Sequence, residues 1–114
     1  MTFRDFEDLE EYLPPGHQGV VNRLLVGRSQ GDGGQLSVWH GRFEPGGSSG
    51  RHVHEESLQI YVVLSGEMTV GDGDDEAVLG PLGTSVIQAG SPHFIENRTT
   101  EDAEVLVVSL PALA

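Results

Sequence analysis

The stretch that decides the fold runs from Gly46 to Gly66 and reads GGSSGRHVHEESLQIYVVLSG. It contains two histidines, His52 and His54, two residues apart. Side chains at this spacing point to the same face of a β-strand, so the two imidazoles would lie a few ångströms from each other. Two neutral imidazoles aimed at one point suit a divalent ion of the series from manganese to zinc. Because paired histidines also occur on protein surfaces, the interpretation depends on the surrounding pattern.

The sequence around this stretch predicts an all-β fold. From Val20 onward, short runs rich in Val, Ile, Leu and Thr alternate with turn signals such as Gly31-Asp32-Gly33-Gly34 and Gly80-Pro81. The 114 residues include 16 glycines and 6 prolines, which is typical of many short elements joined by tight turns. This spacing indicates a β-sandwich or a closed barrel. The predicted strands are 20–27, 35–43, 51–54, 58–65, 67–71, 76–79, 84–88, 93–97 and 103–110.

Residues 1–19 differ from the rest and are interpreted as a lead-in to a barrel domain of residues 20–114. Thr2 and Asp5 resemble a capping box, and Pro14 and Pro15 would end a helix. Between them, apolar residues recur at steps of three or four among acidic ones, which predicts a short amphipathic helix. We expect its apolar side to pack on the barrel or on a partner subunit; a gate over the barrel mouth is the alternative. That side consists of Phe3, Phe6, Leu9 and Leu13.

The composition limits the partners and the compartment. A net charge of −12, from 18 acidic and 6 basic residues, opposes binding to nucleic acid or to anionic membranes. There is no cysteine, so a metal would need His, amide or carboxylate ligands. No run approaches the roughly 20 apolar residues that span a bilayer, so we expect a cytoplasmic protein. Apart from Gln59, residues 58–64 and 105–108 are apolar on both strand faces, which favours a homodimer; the terminal segment of the same chain is the alternative cover.

The spacing around the histidine pair resembles a known motif. Gly46 is followed after five residues by His52-x-His54, then after four residues by Gln59 and after six more by Gly66. This pattern is similar to the first motif of the cupin superfamily, in which Glu usually stands at the position of Gln59. The joint match of motif and strand context identifies the chain as resembling a small single-domain cupin.

A second motif of the superfamily resembles the segment that ends at His93 and Asn97. The segment departs from the family pattern at two turn positions, because Gln88 replaces a proline and Gly83 lies one residue closer than usual. Neither departure affects a metal ligand. The resemblance covers residues 36–110, and we expect Asn97 to support a turn or the ligand residues.

The resemblance implies a jelly-roll barrel of six to eight strands with one divalent metal ion, Zn, Ni, Fe, Mn or Co, near its centre. The implied ligands are His52, His54, Gln59 and His93. Because Gln59 is neutral, the metal would keep its full charge and act as a stronger Lewis acid. Gln59 also cannot serve as the general base that Glu provides in some cupin dioxygenases. Gln at this position resembles lyase, isomerase and cyclase members, including uronate-ketonising proteins and aromatic polyketide cyclases.

Two further residues are candidate catalytic groups. His40 and Trp39 are neighbours on one predicted strand and must point to opposite faces, so only one of them can line the barrel interior. Tyr61 lies two residues after Gln59 and should point inward with it, where it could orient a substrate or donate a proton. The proton carrier could therefore be His40, Tyr61 or metal-bound hydroxide.

These residues lead to three functional hypotheses. The first is a metal-dependent isomerase, cyclase or lyase that polarises a carbonyl or enolate of a small oxygenated substrate. The second is a dioxygenase that uses Fe(II) or Ni(II) with the same ligands. The third is a cupin without enzymatic activity that binds a small ligand, since a superfamily member without Glu could have lost its metal.

Overall fold

Short strands form throughout the region where the sequence predicts them. The computed structural model describes all residues from Met1 to Ala114, and eight antiparallel strands form one sheet that curls into a nearly closed barrel. The order across the sheet is β5-β4-β7-β2-β8-β3-β6, and β1 also pairs with β2. No helix is long and apolar enough to cross a membrane. The all-β barrel is confirmed. The strands are β1 (Gln18–Val26), β2 (Ser37–Ser48), β3 (Leu58–Ser65), β4 (Met68–Gly71), β5 (Glu76–Leu79), β6 (Thr84–Ile87), β7 (Phe94–Glu96) and β8 (Ala103–Leu110).

The register of β2, β8 and β3 decides which side chains face the barrel interior. Trp39 is paired with Val107, and Val107 is paired with Tyr61, so these three residues form one row across the sheet. Side chains alternate between the two faces of a strand. His40 and its partner Leu106 therefore point to the outer face.

The hydrophobic core fills one part of the barrel and borders a cavity. Val63, Met68, Ala103 and Val105 are fully buried, and burial of each larger apolar side chain contributes about 1.5–3 kcal/mol. These four belong to a cluster of ten buried apolar residues. Part of that cluster also forms the cavity wall, so the core supports the site directly. The residues common to both are Val20, Phe43, Tyr61 and Ile95.

Backbone geometry explains the glycines that begin and end the histidine stretch. Gly46 has a φ of +80° and Gly66 has a φ of +73°, a region that other residues rarely adopt. A Cβ atom on Gly66 would also lie 2.7 Å from the carbonyl oxygen of Asp102. Glycine is therefore required at position 66 both by conformation and by the close approach of the chain before β8.

The predicted N-terminal helix is wrong. Only Phe6–Asp8 form a 3₁₀ turn, and the chain then runs extended along β1, where the backbone groups of Tyr12 and Asn22 exchange hydrogen bonds of 2.7 and 2.8 Å. A helix of this length is marginal in water, whereas the edge of β1 offers backbone partners. The segment packs on the barrel only in part, because Phe6 contacts the His40 ring edge-on at 4.8 Å, whereas Phe3 and Leu13 are 85% and 69% exposed. β1 begins at Gln18, and a domain boundary at residue 20 stays a prediction.

The predicted strand over residues 51–54 is also wrong. Only His52 makes a β-bridge there, to His93. β2 instead continues to Ser48, through residues that lie between the predicted strands 35–43 and 51–54. A register shift between β1 and β2 absorbs this Gly- and Pro-containing segment, since Val20 pairs with Phe43 but Gln18 pairs with Ser48.

Candidate metal centre

Three histidines converge at one end of the barrel cavity. The backbone groups of His52 and His93 exchange two hydrogen bonds of 2.9 Å, which fixes these residues side by side. His54 follows two positions later, and one ring nitrogen from each of the three residues lies within 4.8 Å of the others. The ring centroids of His52 and His93 are 4.3 Å apart, and those of His52 and His54 are 4.9 Å apart. The three imidazoles could therefore bind one metal ion.

Backbone carbonyls orient two of these imidazoles. His52 Nδ1 lies 2.9 Å from the carbonyl oxygen of Gly50, and His93 Nδ1 lies 2.9 Å from that of Ser91. A carbonyl only accepts hydrogen bonds, so each Nδ1 carries the proton. Nε2 of each ring is then left with its lone pair. This arrangement is typical of metal-ligating histidines, whose second nitrogen is usually held by a carbonyl or carboxylate.

The same environment keeps the imidazoles of His54 and His93 neutral. Burial, with smaller contributions from the neighbouring histidines, lowers the pKa of His54 to about 4. Burial is also the main cause that lowers the pKa of His93. Protons therefore compete weakly with a metal ion at pH 7, because metal binding requires the neutral form of histidine.

Gln59 completes the group from β3. It is 5% exposed, its Nε2 donates to Ser109 Oγ at 3.2 Å, and the Tyr61 hydroxyl donates to its Oε1 at 3.4 Å. Gln59 Oε1 also lies 2.9 Å from His93 Nε2, so two atoms with free lone pairs face each other. A cation between them would satisfy both.

The histidine group opens into a cavity of about 440 Å³. His52, His54 and Gln59 line it, while His93 is 2% exposed and lies next to Gln59 outside the cavity wall. No Asp, Glu, Lys or Arg is among the 17 lining residues. An uncharged and largely apolar wall with a few convergent polar groups is typical of a small-molecule site.

The structure shows which of the two neighbours on β2, Trp39 or His40, faces the barrel interior. Trp39 lines the cavity, whereas His40 lies on the outer face with Nε2 3.0 Å from Glu104 Oε1. His40 therefore has no access to a molecule bound at the three histidines, contrary to the expectation that it could carry a proton there. Tyr61 lines the cavity as expected. Burial raises the pKa of Tyr61 far above its usual value, so its hydroxyl stays protonated and donates to Gln59.

One cavity residue, His17, was not predicted from the sequence. Its ring centroid lies 6.2 Å from that of His52, and its Nδ1 is buried without a hydrogen-bond partner. Burial is the main cause that lowers its pKa. A single histidine in a loop after Pro15 and Gly16 has no sequence signal that distinguishes it from a surface residue. Only the fold brings it to the cavity.

Asn97 organises the turn after β7. It is 1% exposed, and its Nδ2 donates to the carbonyl oxygens of Phe43 and Glu101 at 3.0 and 2.7 Å. Its Oδ1 accepts from the backbone N–H and the hydroxyl of Thr99. These bonds join the turn to the end of β2. Of the two expected roles, the structure therefore gives Asn97 that of a turn residue.

Comparisons with known proteins agree with this geometry. The family model described as the cupin domain matches residues 39–109. The protein named beta-D-galactosidase Rv1717 of Mycobacterium tuberculosis is 34% identical over 96 residues, which cover 84% of this chain and 82% of that protein. A sugar phosphate isomerase of the cupin superfamily from Silicibacter pomeroyi superimposes with a TM-score of 0.80 and 28% identity, over 96% of this chain and 75% of that chain. The polyketide cyclase RemF from Streptomyces resistomycificus has a TM-score of 0.83 and 24% identity, over 96% and 79% of the two chains, and is similar in fold. The chain belongs to the cupin family.

Proposed function

We propose that this chain is a metal-dependent enzyme that converts a small oxygenated organic substrate in an isomerase, cyclase or lyase reaction. The observation that carries the proposal is the neutral ligand group, in which three imidazoles and the Gln59 carboxamide meet at a cavity. A divalent ion held by neutral ligands would keep its full charge and supply Lewis-acid polarisation of a carbonyl or enolate oxygen.

Such a reaction also needs a group that takes up and returns a proton. Gln59 does not titrate, and the buried Tyr61 hydroxyl stays protonated and holds Gln59 in place. His17 shares the cavity without belonging to the ligand group, and its lowered pKa keeps it neutral and able to accept a proton at pH 7. We therefore assign proton transfer in this reaction to His17.

The name of the mycobacterial relative raises the question of glycoside hydrolysis. Most glycosidases use two carboxyl groups about 5–9.5 Å apart, one on each side of the scissile bond. The cavity wall contains neither Asp nor Glu. Hydrolysis by a carboxylate pair is therefore not the activity proposed for this chain.

The test is proton exchange under nitrogen. The protein is loaded separately with Zn²⁺, Ni²⁺, Fe²⁺, Mn²⁺ and Co²⁺, and a 2-hydroxyketone, a 1,3-diketone and a uronate are followed by proton NMR in D₂O. For at least one combination of metal and compound, we expect a metal-dependent loss of the signal of the exchangeable α-proton. The variant His17→Gln should retain the metal but exchange about 100-fold more slowly, which is the usual minimum effect of a general acid or base. The variant His40→Gln is the matched control and should exchange normally.

Two outcomes would contradict the proposal. Consumption of substrate only in the presence of O₂ would indicate an Fe(II) or Ni(II) dioxygenase. A metal-loaded protein that binds these compounds without exchange or consumption would indicate a ligand-binding module without enzymatic activity.

A further inference from the structure

The cavity wall has two chemically different parts. The histidine end consists of His52, His54 and Gln59, and the distal group is defined as Tyr12, Trp39 and Leu113. Trp39 lies in the same inner row as Tyr61 but two strands away, across β8. Neighbouring strands are about 4.8 Å apart, so the backbones of Trp39 and Tyr61 are about 10 Å apart.

The distal group is built around a pair of stacked aromatic rings. The centroids of Tyr12 and Trp39 are 5.5 Å apart and the ring planes are inclined by 28°. Tyr12 is held there by its two backbone hydrogen bonds to Asn22. Leu113 is tied to the same wall because its backbone N–H donates to Ser37 Oγ at 3.1 Å. A fixed aromatic wall favours a flat ring that can stack on it or meet its edge.

The distal group offers no partner for a charge. None of the 17 residues of the cavity wall is Asp, Glu, Lys or Arg, and the whole chain carries a charge of −12. A phosphate or carboxylate placed at the distal end would lose its hydration without gaining a counter-charge. A ring with hydroxyl groups on every side would leave several of them against apolar side chains.

We infer that the substrate is a planar, largely apolar ring with an oxygen at the histidine end and no charge on the edge that faces the distal group. The inference rests on the proposed function for one point, the uptake of this oxygen at the histidine end. Trp39 and Tyr12 are then the residues that determine specificity, and phosphorylated sugars and dicarboxylates are excluded from the cavity.

Two probes that differ only at the far edge test this inference. Both 4-methylcatechol and 3,4-dihydroxybenzoate carry two adjacent oxygens, but only the second has a charge opposite to them. Trp39 is the only tryptophan of the chain, so its fluorescence reports binding at the distal group, and calorimetry gives the dissociation constants. With zinc-loaded protein, we expect 4-methylcatechol to change the Trp39 emission and to bind at least 30-fold more tightly than 3,4-dihydroxybenzoate. D-galactose should leave the emission unchanged.

Substitutions in the distal group sharpen the test. Leu113 is 44% exposed, so Leu113→Lys should be tolerated and should bring the affinity for 3,4-dihydroxybenzoate to within threefold of that for 4-methylcatechol. Leu82→Lys, at a residue 77% exposed outside the cavity, is the matched control and should not change the preference. In calorimetry, Trp39→Leu should bind 4-methylcatechol about tenfold more weakly than the wild type does. The dissociation constant of Trp39→Phe should stay within threefold of the wild-type value.

The possible failures can be told apart by measuring zinc content first. A folded protein that takes up no zinc would overturn the proposed function. Zinc-loaded protein that binds both catechols equally, binds neither, or responds to galactose would overturn the inference on the substrate and leave the metal centre intact.

Discussion

Replacing Gln59 by glutamate tests the role of the neutral ligand in the most informative way. Gln59→Glu keeps the shape of the side chain but puts an anionic oxygen 2.9 Å from His93 Nε2. In the metal-free protein the change removes the bond that Gln59 donates to Ser109 and buries a charge at a position 5% exposed. We expect the metal-free variant to be less stable by about 1–3 kcal/mol.

Zinc should stabilise Gln59→Glu more than it stabilises the wild type, and so offset part of this loss. A carboxylate binds a divalent ion more strongly than an amide oxygen does, and we take a tenfold gain as the minimum, equal to about 1.4 kcal/mol. At a zinc concentration 100 times the wild-type Kd, zinc should stabilise the wild type by about 2.7 kcal/mol and the variant by about 4.1 kcal/mol. For a domain of this size the difference corresponds to roughly 5 °C in Tm.

The assay is urea unfolding of both proteins with zinc and with chelator, together with the exchange assay described above. We expect Gln59→Glu to gain metal-dependent stability and to lose turnover, because the carboxylate reduces the Lewis acidity of the ion. Gln59→Met, which has no strong donor, is the control and should lose zinc-dependent stability. Equal zinc-dependent stabilisation of the wild type and Gln59→Glu would refute the assignment of Gln59 as a ligand.

Three other properties of the molecule can be measured directly. Asn97→Ala removes the side-chain hydrogen bonds to Phe43, Glu101 and Thr99 and should reduce the free energy of unfolding by about 2–4 kcal/mol in urea without changing metal content; a loss below about 1 kcal/mol would contradict its role in the turn. The pKa of His54 is about 4 in the folded chain against an ordinary value of 6.5, so the unfolded chain binds more protons between these values. The metal-free protein should therefore lose stability as the pH falls from about 6.5 towards 4, and a flat profile would contradict the burial of this imidazole. The outer face of β3 and β8 is apolar, and we expect sedimentation to show a homodimer that Val108→Asp dissociates; a monomeric wild type would refute this proposal.

The fold and the pairing of His52 with His54 could be predicted because their signals are local, whereas His93 was expected there through the resemblance to the second cupin motif. The motif lies in one continuous segment, so the spacing of its residues along the chain is enough to indicate how they are arranged. These residues are Gly46, His52, His54, Gln59 and Gly66. Strand positions followed from runs of apolar residues bounded by turns, and most of them agree with the structure to within two residues.

The features that the sequence did not predict correctly depend on contacts between distant segments. The apolar spacing of residues 3–13 fits a helix, but the free edge of β1 offered Tyr12 backbone partners that no local pattern reveals. Periodicity alone shows that His40 and Trp39 face opposite ways; which of them faces inward depends on the pairing of β2 with β8. His17 reaches the cavity through the path of its loop, and that path is set by tertiary packing.

Metal content is the measurement that tests the metal centre most directly. Protein dialysed against Zn²⁺, Ni²⁺, Fe²⁺, Mn²⁺ or Co²⁺ and then against buffer is analysed by mass spectrometry of the elements, beside His52→Ala/His54→Ala and the control His40→Ala. We expect about one ion per chain in the wild type and the control, and nearly none in the double variant, because the variant loses two of the three imidazole ligands. A folded wild type without bound metal, or a double variant that retains as much metal as the wild type, would contradict the metal centre described above.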